Sequence, residues 1–437
     1  MTNSVWETDM TMPQFPKLDH DLKTNVLIVG GGMAGVLCAY MLHQKGVDYA
    51  LIEADKICNG VTRNTTAKIT SQHGLIYNKL LRMHGPEVAR KYWQANEEAL
   101  AAYRKLAKSI DCDFKQADNY IYSKDNLQKL EAEKEALDKL GIPADLIQET
   151  QLPFPVKGAV RFRNQAQFHP LKFAAALAKD LHIYENTPVR EFQGNRVITD
   201  YGTITAGKIM ITTHFPLLNK HGGYFLKLYQ QRSYVLALEN AGQMDGMYLD
   251  AEENGLSFRS HSEQLLLGGG GHRTGKEGQG WVVLREFART HYPEAKETGC
   301  WATQDCMTLD GIPYIGRYGR NTPNLFVATG FNKWGMTSSM VAAMLLSDLV
   351  QGRENGYDFV FSPQRRILRK QLFCNLLEST KNILTLRRPR CPHLGCALQW
   401  NPQERSWDCP CHGSRFDENG KLLDTPATAD LNRKPHI

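Results

Sequence analysis

The chain has 437 residues, of which 42% are hydrophobic and 22% charged; that balance fits a globular protein and excludes a disordered, collagen-like or fibrous one. The length exceeds one ordinary core, so a large domain with at least one smaller one is expected. The net charge of +6 is spread along the chain. Its densest basic run (Arg387, Arg388, Arg390) lacks interleaved aromatics and reads as a solvated linker face, so no nucleic-acid partner is expected.

The only long uncharged run, Asn25 to His43, is broken by Gly30-Gly31-Gly32, so no integral membrane segment is expected. Glu7 and Asp9 lie early, with no apolar core beside basic residues; this predicts no secretory leader and a cytoplasmic location. Of ten cysteines, four crowd between Cys391 and Cys411. The other six (Cys38, Cys58, Cys112, Cys300, Cys306, Cys374) read as small buried hydrophobes.

In chain order, Asn25 to Val29 reads as a buried strand, Met33 to Gln44 as an apolar helix and Tyr49 to Glu53 as a second strand, the opening of a βαβ unit. Pro86 to Ile110 and Asn126 to Leu140 have amphipathic helical spacing and read as an inserted cap. Phe168 to Leu181 is a further helix and Lys208 to Thr213 an apolar strand. Alternating, aromatic-rich strands follow between Gly223 and Gly270, including Ser233 to Leu238 and Gln264 to Leu267, and suggest a mixed sheet on the substrate side. Asn324 to Ala328 is a buried strand, Gly335 to Leu349 a helix, and Phe361 to Arg390 a helical linker.

Between the first strand and helix, Gly30-Gly31-Gly32-Met33-Ala34-Gly35 fits G-x-G-x-x-G, and Glu53 closes the next strand. Glycine there lets the backbone approach a pyrophosphate on the helix N-terminus, and a carboxylate at Glu53 can accept hydrogen bonds from a ribose. The motif alone does not separate FAD from NAD.

The stretch Trp301-Ala-Thr-Gln-Asp-Cys-Met-Thr-Leu-Asp-Gly-Ile-Pro-Tyr-Ile-Gly316, with Asn324-Leu-Phe-Val-Ala-Thr-Gly330 and Gly335-Met336-Thr337, resembles the flavin-contacting signature of the family that includes glycine oxidase, sarcosine oxidase and D-amino-acid oxidase. The resemblance implies FAD, with Gly311, Gly330, Gly335, Met336 and Thr337 beside the flavin and the Gly335 helix aimed at its pyrimidine end. It also implies that Asn186-Thr-Pro-Val189 meets the adenine through Val189. By the same resemblance, Thr212-Thr213-His214 is expected to close the nucleotide sheet, with Thr213 at the cofactor, and Thr62 to Lys68 to pass under the flavin, with Thr66 and Lys68 as contacts. Where many relatives carry a carboxylate-clamping arginine this chain has Asp305, with Arg232 as a compensating cation. His73, Arg232, Tyr234, Lys333 and Trp334 are candidate pocket residues, with Lys333, Trp334, Arg232 and Asp305 assigned to catalysis.

Cys391-Pro-His393 and Cys409-Pro-Cys411-His412 fit C-x-H-x15-C-x2-H, the Rieske ligand pattern of two thiolates on one iron and two imidazoles on the other. Zinc is the competing reading of a Cys- and His-rich tract, although zinc ribbons and fingers usually begin with C-x2-4-C. Resemblance to Rieske proteins of quinol-oxidising complexes implies a Cys396–Cys411 disulfide and a hydrogen bond from Ser414 to a bridging sulfide. Phe416 stands where high-potential relatives have tyrosine, which implies an intermediate potential. Few strands precede Cys391, so an abridged β-module is expected.

The predicted fold is α/β: a Rossmann-like FAD-binding domain with a mixed-sheet substrate/cap domain, plus a small all-β Rieske module. The oxidoreductase domain is placed at 1–370, with FAD-binding parts at about 22–85, 155–220 and 300–360 and substrate/cap parts at about 86–154 and 221–299. Linker and Rieske domain take 371–437. The expected activity is oxidation of an amine or amino-acid-like substrate by FAD, with electrons relayed singly through a 2Fe-2S cluster to an acceptor protein or quinone. The alternative is a redox sensor or electron-transfer flavoprotein without an organic substrate of its own.

Overall fold

The computed structural model describes residues 4–8, 10–218, 221–252, 254–365, 375, 377–378, 381–382, 385 and 388–431. Most of the expected linker 361–390, and the 370/371 boundary, lie outside the described residues. Three sheets organise the rest. The first has eight strands in the order Tyr314–Arg317, Leu325–Thr329, Thr203–Ile211, Leu22–Val29, Tyr49–Ile52 and Ile183–Tyr184, with a side hairpin formed by Val189–Gln193 and Arg196–Thr199. Leu22–Val29 pairs in parallel with both neighbours. Its residues Val26, Leu27, Ile28 and Val29 are all buried, as a strand covered on both faces requires. Helices Met33–Gln44 and Gly335–Leu349 pack against each other on this sheet, and both bury most of their circumference.

The second sheet has nine strands and contains the alternating, aromatic-rich strands expected on the substrate side. Its order is Lys296–Thr308, Leu228–Glu239, Gln264–Arg273, Ser257–His261, Met247–Asp250, Lys115–Ser123, Gly158–Gln167 and Lys68–Ile69, with Asp145–Ile147 beside Gly158–Gln167. It is mixed, because Met247–Asp250 runs parallel to Lys115–Ser123. Three of its strands, Lys68–Ile69, Gly158–Gln167 and most of Lys296–Thr308, fall in stretches expected to bind FAD. The stretch expected to be a helical cap supplies Lys115–Ser123. Helix Tyr77–Ala107 begins nine residues before Pro86, and Gly85, at φ 83° and ψ 174°, absorbs the kink that the proline imposes.

The third sheet contains Gln399–Asn401, Ser406–Asp408, Arg415–Asp417 and Leu422–Asp424. Four short strands around Leu398, Trp407 and Phe416 make the small all-β module expected. Arg365, near the start of the expected linker, donates to both Asp310 carboxylate oxygens at 2.7 and 2.8 Å and stacks over Tyr314.

Candidate functional site

A cavity of about 1430 Å³ lies between the first two sheets, larger than the roughly 300–1,000 Å³ of an ordinary ligand pocket. The glycine turn forms one end. Gly30 has φ +106°, where a side chain is strained, and a Cβ on it would lie 2.8 Å from the Thr212 carbonyl oxygen. A Cβ on Gly35 would come within 1.9 Å of the Gly30 oxygen, so glycine lets the helix sit against the turn. Gly32 differs: a Cβ there meets only Thr62 Oγ1 at 3.5 Å and would enter the cavity. The helix N-terminus therefore opens on space that a pyrophosphate fits. Glu53 accepts from the Gly31 and Asp55 N–H groups at 2.6 and 3.1 Å; burial pushes its carboxyl up against their pull.

Of the residues singled out in the sequence, Gly30, Gly32, Met33, Ala34, Glu53, Thr66, Lys68, Val189, Thr213, Asp305, Gly311, Lys333, Trp334, Gly335 and Met336 line this cavity. His73 lines it too, stacked on Trp334 at 4.9 Å. It meets the Tyr92 hydroxyl at 2.6 Å and the Thr70 carbonyl at 2.8 Å, and burial lowers its pKa to about 3. Lys68 donates to the Tyr248 carbonyl at 3.3 Å; burial, then the nearby Arg259, lower it to about 7. Asp305 accepts from Ser233 Oγ at 3.1 Å.

Three residues sit elsewhere than expected. Gly330 is turned from the cavity, and a Cβ on it would strike Thr308 Cγ2 at 2.3 Å; its glycine serves packing. Thr337 is buried behind the wall, donating to the Thr70 carbonyl at 2.9 Å. Arg232 is no substrate clamp. Its Nε donates to Glu404 Oε1 at 2.9 Å, and its Nη2 to Glu404 Oε2, so the guanidinium is committed to the C-terminal module. Strand alternation is the main reason: along Leu228–Glu239, Tyr229, Gln231, Ser233 and Val235 line the cavity while Gln230 and Arg232 point to the module, and Tyr234, beyond a register shift, reaches both.

The module closes the cavity, with Asp417 and residues 421–425 in its wall. Its ligand pattern converges. Cys391 and Cys409 are buried and hydrogen-bonded through their sulfurs, and the His393 and His412 rings lie 4.9 Å apart. Among the described residues, neither ring nitrogen of buried His412 has a partner that meets the distance and angle limits of a hydrogen bond. One pair of adjoining thiols and one pair of adjoining imidazoles, carried on the same two loops, fit the two-thiolate, two-imidazole ligand set of a Rieske cluster. Ser414 Oγ is fully buried, accepts the Ala427 N–H at 2.9 Å and reaches Cys391. The expected Cys396–Cys411 disulfide is not present in this structure, where the Sγ atoms of Cys396, Cys409 and Cys411 lie within 4.8 Å of one another.

Sequence reasoning missed the seam between module and cavity. Phe215, one residue beyond cavity-lining His214, packs its ring 6.1 Å from His412 and 6.3 Å from His393. Phe225 lies 6.3 Å from His412. Gln304 donates to the Gly413 carbonyl at 2.8 Å. Glu404 also accepts from Arg415 at 2.7 Å and from the Tyr234 hydroxyl at 3.0 Å. Burial pushes its carboxyl up, but Arg232 and Arg415 together prevail and hold it at about 2. None of these contacts has a local sequence signal.

Residues 25–349 match the family described as FAD dependent oxidoreductase, and residues 363–435 match the Rieske [2Fe-2S] domain. YhfW of Bacillus subtilis (strain 168), named as a Rieske 2Fe-2S iron-sulfur protein, is 36% identical over 98% of this chain and 97% of its own. Gamma-glutamylputrescine oxidoreductase of Escherichia coli (strain K12) is 23% identical over 79% of this chain and 87% of its own. Glycine oxidase from Geobacillus kaustophilus shares the fold, with a TM-score of 0.67 at 20% identity over 79% of this chain and all of that one. No described helix is long and apolar enough to cross a membrane.

Proposed function

Because the chain belongs to the FAD dependent oxidoreductase family and carries a Rieske [2Fe-2S] domain beyond it, we propose that it oxidises the C–N bond of an amine or amino-acid-like substrate in the cavity and passes the electrons singly to an external acceptor. FAD supplies two-electron chemistry, taking a hydride from the carbon next to nitrogen, and the 2Fe-2S cluster supplies a one-electron exit. The amine becomes an imine, losing two electrons and two protons, so each turnover reduces two molecules of a one-electron carrier or one quinone to its quinol.

In this reading the Gly30–Gly35 turn and Glu53 hold the dinucleotide, while Thr66, Lys68, Val189, Thr213, Gly311, Gly335 and Met336 line the rest of its bed. Cys391, His393, Cys409 and His412 hold the cluster. Asp305 holds the substrate nitrogen through its carboxylate, the stacked His73 and Trp334 with Lys333 shape the pocket, and residues 421–425 of the module exclude water. The acceptor is a one-electron carrier protein or a quinone.

The observation that carries the proposal is the shared wall: the imidazole ligands abut Phe215, adjacent in the chain to a cavity-lining residue. Anaerobic titration with a panel of amines and amino acids, read by flavin bleaching and by the EPR signal of the reduced cluster, tests it. A substrate should produce both signals. Bleaching with no cluster signal refutes the relay, and a panel that leaves the flavin yellow while dithionite bleaches it refutes the amine reading.

A further inference from the structure

We infer that Glu404 is a positioning residue that fixes the Rieske module against the substrate sheet for electron transfer, an inference that rests on the relay proposed above. Glu404 lies between strands Gln399–Asn401 and Ser406–Asp408, and its side chain is fully buried. Both carboxylate oxygens are saturated. Oε1 accepts from Arg232 Nε at 2.9 Å, the Tyr234 hydroxyl at 3.0 Å and Asn401 Nδ2 at 3.2 Å; Oε2 accepts from Arg232 Nη2 and, at 2.7 Å, from Arg415 Nη2.

The donors come from both sides of the seam. Arg232 and Tyr234 belong to strand Leu228–Glu239, and Tyr234 also lines the cavity. Arg415 belongs to the module, where it donates to Asp408 Oδ1 at 3.0 Å and Asp424 Oδ2 at 2.9 Å. Asp408 precedes the ligand Cys409. An unbroken chain of charge-assisted hydrogen bonds thus runs from the cavity wall to the residue beside a cluster ligand. Two arginines buried in one seam repel unless an anion sits between them, so the docked arrangement depends on this carboxylate. Gln403 reinforces the clasp by donating to the Gln279 carbonyl at 2.7 Å.

The test compares the full-length holoprotein with Glu404→Gln and Arg232→Gln. Flavin is reduced by light with a deazaflavin dye, so no amine substrate is needed, and growth of the reduced-cluster EPR signal is followed by rapid freezing. Hydrogen exchange is measured in parallel at residues 228–239 and 399–408. Glu404→Gln should slow cluster reduction at least tenfold and speed exchange on both sides of the seam, while the g-values stay put because every cluster ligand remains. Arg232→Gln, which keeps the Glu404–Arg415 pair inside the module, should do the same to a smaller degree. Wild-type transfer rates in both variants overturn the inference, as does slowed transfer without faster exchange. If Glu404→Gln loses its cluster, Arg232→Gln decides alone by the same two readouts. Failure of every amine to reduce the flavin would sink the amine reading and leave this test intact.

Discussion

Replacing Gly32 by valine separates cofactor binding from folding. Position 32 has φ −70° and ψ −177°, open to any L residue, and a Cβ there touches only Thr62 Oγ1 at 3.5 Å. The fold therefore loses little more than a favourable helix cap, about 1 kcal/mol. Binding loses far more. An anion at a helix N-terminus gains up to about 2 kcal/mol, and overlap with a branched side chain adds roughly 1–3 kcal/mol. The sum of roughly 3–5 kcal/mol corresponds to a Kd raised by two to nearly four orders of magnitude. Gly35→Ala is the control: its Cβ would lie 1.9 Å from the Gly30 oxygen, so the helix must move even without FAD. The assay is thermal melting of flavin-stripped proteins together with FAD titration by fluorescence quenching. The reasoning is refuted if Gly32→Val binds FAD like the wild type, or if its flavin-free form melts as low as Gly35→Ala.

Lys68 carries a pH signature. Burial lowers its folded-state pKa from 10.5 to about 7, so stability is fully present only above the unfolded value and is lost as pH falls toward 7. Lys68→Met should raise the melting temperature of flavin-free protein most below pH 7, with the gain fading toward pH 10; a gain independent of pH would contradict this. Asp305→Arg should raise kcat/KM for carboxylate-bearing amines relative to neutral ones, because it places a bidentate cation in the cavity; an unchanged ratio across matched substrate pairs counts against it. Cys409→Ser and His412→Ala should lose the cluster while substrate still bleaches the flavin in one turnover. Steady acceptor reduction should then collapse by orders of magnitude, and stopped-flow compared with steady-state rates checks it.

What the sequence made legible was local. The turn from Gly30 to Gly35 and the helix Met33–Gln44 declare themselves through one glycine pattern and one apolar run, and the cluster ligands through short spacings. Lys115–Ser123 was hidden because Lys115 and Gln116 are exposed, Ala117 and Asp118 half-buried and Asn119 a buried polar residue, so only Ile121 to Ser123 form a buried run and no period-2 pattern announces the strand. Arg232 was misplaced for a different reason. Its partner Glu404 lies 172 residues away, and one step of strand parity decides whether a side chain faces the cavity or the module. Gly330 was read as a flavin contact, whereas its missing side chain makes room for Thr308.

That parity also bears on how the two cofactor sites communicate. Strand Leu228–Glu239 is a wall one strand thick: Gln231 and Ser233 line the cavity, while Gln230 lies against Gly413 and Arg232 grips Glu404. On the neighbouring strand, Asp305 accepts from Ser233 in the cavity and Gln304 donates to Gly413, next to His412. A tethered module that had to swing between donor and acceptor would keep a wet, lightly held interface. This one is sealed by a buried carboxylate between two arginines and by aromatic rings on the ligand histidines. In the relay proposed above, this docked arrangement is the one that would carry the transfer. Substitutions at Gln231, Ser233 and Asp305, which line the cavity, should act on substrate handling, and those at Gln230 and Arg232 on the passage of electrons, while Tyr234 and Gln304 touch both cavity and module.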